Sequence, residues 1–417
     1  MKQLLDLAAI TWQTFTLMFT DLRYILILLL VFSLVYRQYA KTREYEQGFF
    51  GLKRIDPLRE TAVATIYGLA GGLLATVLFI VLGISLSNAG AAYLWLAAIL
   101  LMLFHPRFLC FSYAGSLVSI AHLVTGYPDI HIPTLMALVA VLHLVESALI
   151  FVDGHHGSSP MFFKHKSGRV VGGFALRKFW PMPTIALVGL AVAGPAVEWQ
   201  TVAMPDWWPV FRAGIDAPEG YVFMYMLFPL VVALGYSDFV QTELPRTKAR
   251  RSAGMLLAYS VVLLGLALAA NAYPVLSLLP VLFAPLGHEL VIRWSQWREQ
   301  SREPVFHAAD GVMVLSVYPG SPAEQMGLQP GDVIKSVNGA EVKDLSQLVN
   351  EISPWAVDPV FVVENQFLEP RRREVRLRGK VPPLGIIPAP HPAQGTYMQF
   401  KEGFLRSLWN RWRAKRK

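Results

Sequence analysis

Residues Gly287 to Ile292 read GHELVI, which opens like the zinc pattern His-Glu-x-x-His. On a helix that pattern sets two histidines on one face to bind the ion, with the glutamate as general base. Here His288 and Glu289 are present, but Ile292 stands where the second histidine belongs and has no donor atom. A second polar group lies in HLVESALIFVDGHH, where His143 and Glu146 are three residues apart and Asp153, His155 and His156 follow. His and Glu at that spacing share a helix face and could share an ion. The plainer role is a hydrogen bond between helices, because ionisable groups in apolar segments face a bundle interior. The candidate ligands are thus His288, Glu289, His143 and Glu146, and the expectation is that they hold no metal. No Gly-rich phosphate loop, nucleophile elbow or kinase signature occurs, so no cofactor and no catalytic residue is expected.

The elements that carry these residues are apolar. Of 417 residues, 54% are hydrophobic and 16% charged, too little charge to cover a soluble protein of this size. Most of the chain therefore belongs in a membrane. The single cysteine, Cys110, excludes an internal disulfide and a cysteine metal cluster. A net charge of +8 would suit nucleic acid, but the basic residues gather between apolar runs and at the C-terminus. That is the pattern of cytoplasmic loops, and it argues against a nucleic-acid partner.

A helix needs roughly 20 apolar residues to cross the hydrocarbon core. Candidate runs are Tyr24–Tyr36, Ala64–Leu86, Gly90–Phe104, Phe108–Val124, Pro133–Val152, Thr184–Met204, Tyr221–Tyr236, Gly254–Tyr273 and Pro274–Ile292. They predict an α-helical polytopic bundle over residues 1–293, with about nine spans and a range of eight to ten. The third and fourth runs are separated only by residues 105–107, as a tight hairpin or a partly re-entrant pair. Leu4–Phe19, interrupted by Asp6, Thr11, Gln13 and Thr14, is a further span or an interfacial helix; no small-residue cleavage site follows it. With the N-terminus outside, loops 37–63, 105–107, 153–183 and 237–253 hold sixteen Lys and Arg, against Arg212 alone in the external loops. Positive loops stay inside, so everything after Arg293 is expected in the cytoplasm. Gly68 and Gly72 form a G-x-x-x-G step suited to close approach of another helix. Pro195, Pro229, Pro280 and Pro285 predict kinks, read as ordinary bundle packing.

After Trp294 the composition turns polar, with a linker over residues 294–304. Val312, Val314 and Val317 form a strand, closed by Pro319-Gly320. Ser321 caps a one-turn helix that starts at Pro322 and stops at Gly327. Asp332–Val337 is a second strand, Asn338-Gly339 a hairpin turn, and Asp344 caps a helix through Ile352. Val360–Val363 and Glu374–Leu377 supply further strands. Residues 380–397 read as a Pro-rich linker. Residues 398–417 place Phe400, Phe404, Leu408, Trp409 and Trp412 on one face of a basic helix, with Arg411 and Arg413 beside the tryptophans. Such a helix lies on membrane lipids.

The stretch PGSPAEQMGLQPGDVIKSVNG resembles the signature of PDZ domains of the bacterial HtrA-like type, which implies a small α+β domain over residues 305–379. In such domains a peptide adds as a strand at a sheet edge beside the long helix. The resemblance places the carboxylate-binding loop at 309–314, with Gly311, Val312, Met313 and Val314 on the strand side. Leu345, Leu348 and Ile352 share a core face by spacing, which leaves Ser346, Val349 and Asn350 on the groove side. A PDZ-shaped domain that only packs on its own bundle is the plainer alternative.

Site-2-type intramembrane proteases also join spans to a PDZ domain, and an inactive or divergent relative of those is the alternative reading. Their distal Asp-Gly follows the zinc helix, whereas Asp153-Gly154 here precedes it. As a whole, the spans, the loop KSGRVVGGFALRKFWPMP, the ending FAPLGHEL and the PDZ module resemble the MinJ family of division-site determinants. That resemblance implies a non-enzymatic adaptor in the cell membrane. Its implied partners are a DivIVA-like coiled-coil protein and a MinD-like division inhibitor.

Overall fold

The computed structural model describes residues 2–51, 53–193, 201–212, 219, 221–307, 309–352, 358–365, 369–374 and 383–391. Two helices open the chain, α1 (Lys2–Thr20) and α2 (Leu22–Phe50), parted at Asp21, whose carboxylate accepts the N–H of Arg23. Next, α3 (Pro57–Leu82) starts on an Asp56 cap with proline at its first position and ends at Gly83 in the left-handed region. A pair follows, α4 (Ala91–Phe104) and α5 (Phe111–Thr125), joined by a 3₁₀ turn at Pro106–Leu109. The central helix is α6 (Ile132–Asp153): 72% of its apolar window is buried, the most of any candidate span.

Three strands come next, where two membrane helices were expected. β1 (Ser159–Lys164), β2 (Val170–Ala193) and β3 (Tyr221–Val240) form an antiparallel sheet in that order. The expected spans Thr184–Met204 and Tyr221–Tyr236 are thus corrected to the arms of a long β-hairpin, with 194–200 outside the described residues. Two helices complete the bundle, α7 (Pro245–Ala272) and α8 (Leu278–Ser301), the latter running through Pro285.

Backbone hydrogen bonding explains why a strand is tolerated among these helices. An unpaired strand edge in an apolar setting leaves polar groups unsatisfied. Beyond β1, the free edge of β2 faces α3. There Pro181 and Pro183 have no N–H to satisfy, and prolines two apart would break a helix. The N–H of Ile185 is accepted by Thr76 Oγ1 at 2.8 Å, and that of Gly189 by Ser87 Oγ at 2.9 Å. Leu187 accepts the N–H of Leu86 at 2.8 Å. Close approach comes from the G-x-x-x-G step, which meets a strand rather than a helix: a Cβ on Gly68 or Gly72 would strike the carbonyls of Pro181 or Pro183. Pro229 sits within β3 and Pro280 within α8; Pro195 lies outside the described residues.

The runs expected as a tight hairpin or a partly re-entrant pair form α4 and α5, a hairpin. The start of α4 and the end of α5 lie together, with Tyr93 and Tyr127 hydroxyls 3.1 Å apart. Their turn reaches only half-way along α6, where Cys110 meets His143. Arg107 is therefore not in an end loop with the other basic residues; it pairs with Glu289 on α8. Among the described residues five helical segments are long and apolar enough to cross a membrane: 22–50, 57–82, 132–153, 245–272 and 274–301. These elements do not confirm the expected count of about nine spans, and two shorter apolar helices, α4 and α5, stand beside them.

The C-terminal module holds β4 (Val312–Val317), α9 (Pro322–Gln325), β5 (Val333–Val337), β6 (Ala340–Glu341), α10 (Leu345–Glu351), β7 (Val360–Glu364), β8 (Pro370–Glu374) and β9 (Ile386–Pro388). Sheet order is β8-β7-β5-β4-β9, with β6 beside β5. Local signals act as read: Ser321 caps α9, Asp344 caps α10, and Asn338 and Gly339 both take positive φ, 51° and 87°. The last expected strand begins earlier, at Pro370, and 375–377 lie outside the described residues. A second core, including Val314, Ile334, Val337, Leu348 and Phe361, holds this module together. Its other sheet face docks on the bundle: Leu315, Tyr318 and Ile387 join the main core with Phe174 and Phe306, and Gly172 donates to the Phe306 carbonyl at 2.7 Å.

Candidate functional site

Gly311 opens β4 with φ 120°, a conformation L side chains rarely adopt, and a Cβ there would strike the Ile334 carbonyl. The strand that follows was expected to receive a peptide along Gly311, Val312, Met313 and Val314. Both of its edges are already occupied. Toward β5, the N–H of Val314 donates to Asp332 O at 2.7 Å. Toward β9, the carbonyl of Met313 accepts from Ala389 N at 2.8 Å. A peptide cannot pair where the chain pairs with itself, so the open edge passes outward to β9.

β9 lies within residues 380–397, read from sequence as linker, and completes the module beyond its expected end at 379. Its pairing decides which groups are free. The N–H of Tyr318 donates to Gly385 O at 2.8 Å, and Val317 faces Ile386 in the next pair of the register. In an antiparallel ladder such pairs alternate, so Ile386 turns its N–H and carbonyl away from β4. Pro388 offers only a carbonyl on that outer edge. No strand covers it among the described residues.

The side chains of β9 alternate as its backbone does. Ile387 is buried against the bundle, whereas Leu384 and Ile386 pack on the module core that contains Leu348 of α10. On α10, Leu348 is 1% exposed and Ile352 packs beside it. Leu345 departs from the expected core face: it is 44% exposed, one turn before Val349 at 62%. Ser346 and Asn350 are exposed as well. α10 thus presents an apolar pair, Leu345 and Val349, flanked by polar groups. A short edge with one donor and two acceptors plus an apolar helix face is suited to a peptide backbone and one or two aliphatic side chains. The missed element, Leu384-Gly385-Ile386-Ile387, is an aliphatic run hidden among prolines; Gly385 at φ 79° was its one local signal.

The membrane-side candidates divide. His143 and His288 meet with ring centroids 5.3 Å apart, and Cys110 joins them. Glu289 turns away and is engaged by Arg107, by Arg293 at 2.6 Å and by the Tyr113 hydroxyl at 2.9 Å. Glu146 follows His143 by one turn of α6. Asp153 lies at the end of that helix, buried against Lys178 at 3.2 Å, with Trp180 Nε1 donating to it at 2.7 Å and His156 at 3.1 Å. His155 stacks on His156; its own burial, and then the nearby charges of His156 and Arg246, push it down to about 4. No His-Glu-x-x-His set with an Asp-Gly ligand is assembled among the described residues. Trp409, Arg411, Trp412 and Arg413, expected on the membrane surface, lie outside the described residues.

A PDZ domain model matches residues 313–354. Over 225 residues the chain is 28% identical to the cell division topological determinant MinJ of Bacillus subtilis (strain 168), covering 51% of this chain and 50% of that protein. A probable cell division topological determinant MinJ of Lacticaseibacillus paracasei is 26% identical over 231 residues, 53% of this chain and 56% of that one. The mitochondrial serine protease HTRA2 of Drosophila grimshawi is 29% identical over 126 residues, a partial match covering 30% of this chain and 26% of that protease. The chain thus matches about half the length of the MinJ relatives. It is similar to the MinJ determinants over about half of its length and carries a PDZ domain match in its C-terminal module.

Proposed function

We propose that this chain is a membrane-anchored adaptor that recruits protein partners to division sites through its PDZ domain. The observation that carries the proposal is the β9 edge, unpaired among the described residues and standing beside the exposed Leu345–Val349 face of α10, in a chain similar to a division determinant. Strand addition there supplies backbone hydrogen bonds, and the apolar pair selects side chains. Partners of the DivIVA-like and MinD-like kinds belong to the same proposal. The basic tail, with Trp409, Arg411, Trp412 and Arg413, would lie on anionic lipid and add to the anchoring.

Orientation belongs to the same proposal. Arg54, Lys178, Lys248 and Arg251 gather at the end of the bundle where the PDZ module docks, which favours that end as cytoplasmic. Tethering would then raise the effective concentration of the groove for partners already at the membrane. The protease alternative has less behind it, since Ile292 offers no ligand and Glu289 is held by two arginines. In a Cys110→Ser background, a cysteine placed at Glu324 should resist an impermeant thiol reagent in intact cells and react after permeabilisation. A fluorescent fusion of the full chain should gather at division sites. A uniform membrane signal in dividing cells counts against the proposal.

A further inference from the structure

Three donor atoms from three separate elements converge half-way along α6. Cys110 Sγ, in the turn between α4 and α5, lies 3.2 Å from His143 Nε2 on α6 and 3.6 Å from His288 Nε2 on α8. All three atoms fall within 4.8 Å of one another. Zinc bonds of about 2.3 Å to sulfur and about 2.0–2.1 Å to nitrogen, at a tetrahedral angle, set S···N near 3.6 Å and N···N near 3.4 Å. The sulfur therefore already stands at ligand separation from both rings.

Proton bookkeeping around the group points the same way. His143 Nδ1 lies 2.7 Å from the Val139 carbonyl, which only accepts, so Nδ1 carries the proton and Nε2 turns a lone pair to the cluster. A ligating histidine is held in just this manner. Tyr259 donates to the Ala284 carbonyl at 3.0 Å, so Ser112 must spend its proton on the Tyr259 oxygen at 2.7 Å. Ser112 Oγ then faces His143 Nε2, at 3.3 Å, with a lone pair of its own. His288 Nδ1 is buried without a hydrogen-bond partner among the described residues. His143 Nε2 and Ser112 Oγ thus turn lone pairs toward each other, and either the Cys110 S–H or a metal ion can satisfy His143 Nε2.

We propose that Cys110, His143 and His288 bind one zinc ion that clasps the tip of the α4–α5 hairpin to α6 and α8. Thiolate with two imidazoles selects a thiophilic ion over magnesium or calcium. On binding, the S–H proton leaves to solvent and the sulfur bonds the ion as thiolate. One positive charge remains on the site, with Glu146 one turn along α6 to balance it. The fourth position stays open to a small exogenous ligand.

Cys110 is the only cysteine of the chain, so thiol chemistry on the full-length protein reads this site alone. Purified in detergent and stripped of metal, the protein should take up one equivalent of zinc, which should slow alkylation of Cys110 by a maleimide at least about tenfold. Cobalt in place of zinc should give a thiolate charge-transfer band and the visible spectrum of a tetrahedral ion. Cys110→Ser should abolish the band, while His143→Gln and His288→Gln should each weaken binding at least about tenfold, on the scale of losses seen when even supporting partners of ligands are removed. Glu289→Gln, which leaves all three donors in place, should keep the band. Alkylation of the wild-type protein unchanged by zinc, or cobalt bound without a thiolate band, overturns the proposal and leaves a thiol–imidazole hydrogen-bond cluster. The alkylation assay needs no variant, so misfolding of a substitution does not shield the idea.

Discussion

Thr76 Oγ1 accepts the backbone N–H of Ile185 at 2.8 Å, so a helix side chain completes the hydrogen bonding of a strand edge buried inside the bundle. The same hydroxyl donates to Gly72 O at 2.8 Å and lies 3.1 Å from the hydroxyl of Thr184. One turn earlier on α3, Gly72 leaves room for the carbonyl of Pro183. Together Gly68, Gly72 and Thr76 form one helix face, spaced by four, made for a strand.

Gly72→Ala should therefore displace β2 and cost about 1–3 kcal/mol, as overpacking does. Gly265→Ala in α7, where a Cβ meets nothing, should be neutral or stabilising by up to about 1 kcal/mol. Thermal unfolding of the two variants in one detergent checks the contrast; equal shifts would mean that β2 does not run against α3.

Lys178 and Asp153 form a buried pair, 1% and 0% exposed, in a knot with Glu60 and Trp180. Breaking such a pair leaves one charge uncompensated, so Lys178→Met should lower stability by about 3–5 kcal/mol. Adding Asp153→Asn removes the stranded charge and keeps an acceptor for the Trp180 indole. The double variant should recover part of the loss, measured by the same unfolding assay, and failure to recover would show that the two residues do not act as a pair.

The β9 strand sets the limits of the PDZ fold. A fragment of residues 303–380 lacks it and leaves the outer edge of β4 bare, with Leu384 and Ile386 missing from the core. A fragment of residues 303–391 should unfold at a higher denaturant concentration and show stronger amide protection over 312–318. Equal stability of the two would remove β9 from the fold.

How much of this was legible depended on the range of the signal. The caps and turns of the PDZ module were legible, because Ser321, Asn338-Gly339 and Asp344 act within four residues of themselves. The β2 arm was not. From Leu176 to Ala186 it is buried on both faces apart from Arg177 and Phe179, which are partly exposed, so no alternation marks it and an apolar run reads as a helix. Pro181 and Pro183, two apart, were the available warning. His143 was read beside Glu146 and His288 beside Glu289, while Cys110 was read only for disulfides and cysteine clusters; the meeting of the three depends on a half-depth hairpin that no local pattern encodes. Leu345 misled because helical spacing gives a face but not its extent: α10 buries Leu348 and turns Leu345 outward with Val349.

The central claim is that the outer edge of β9, beside Val349, is where partners bind. A photo-crosslinking amino acid at Val349 of the full chain, in dividing cells, samples that groove directly. Ile386→Pro removes the one N–H that β9 turns outward and none that it turns to β4. The account predicts a discrete crosslinked partner at Val349 that disappears in the Ile386→Pro chain, while that chain still inserts in the membrane and its PDZ module stays folded, as checked by limited proteolysis. The same crosslinked species at undiminished yield from a folded Ile386→Pro chain would contradict it.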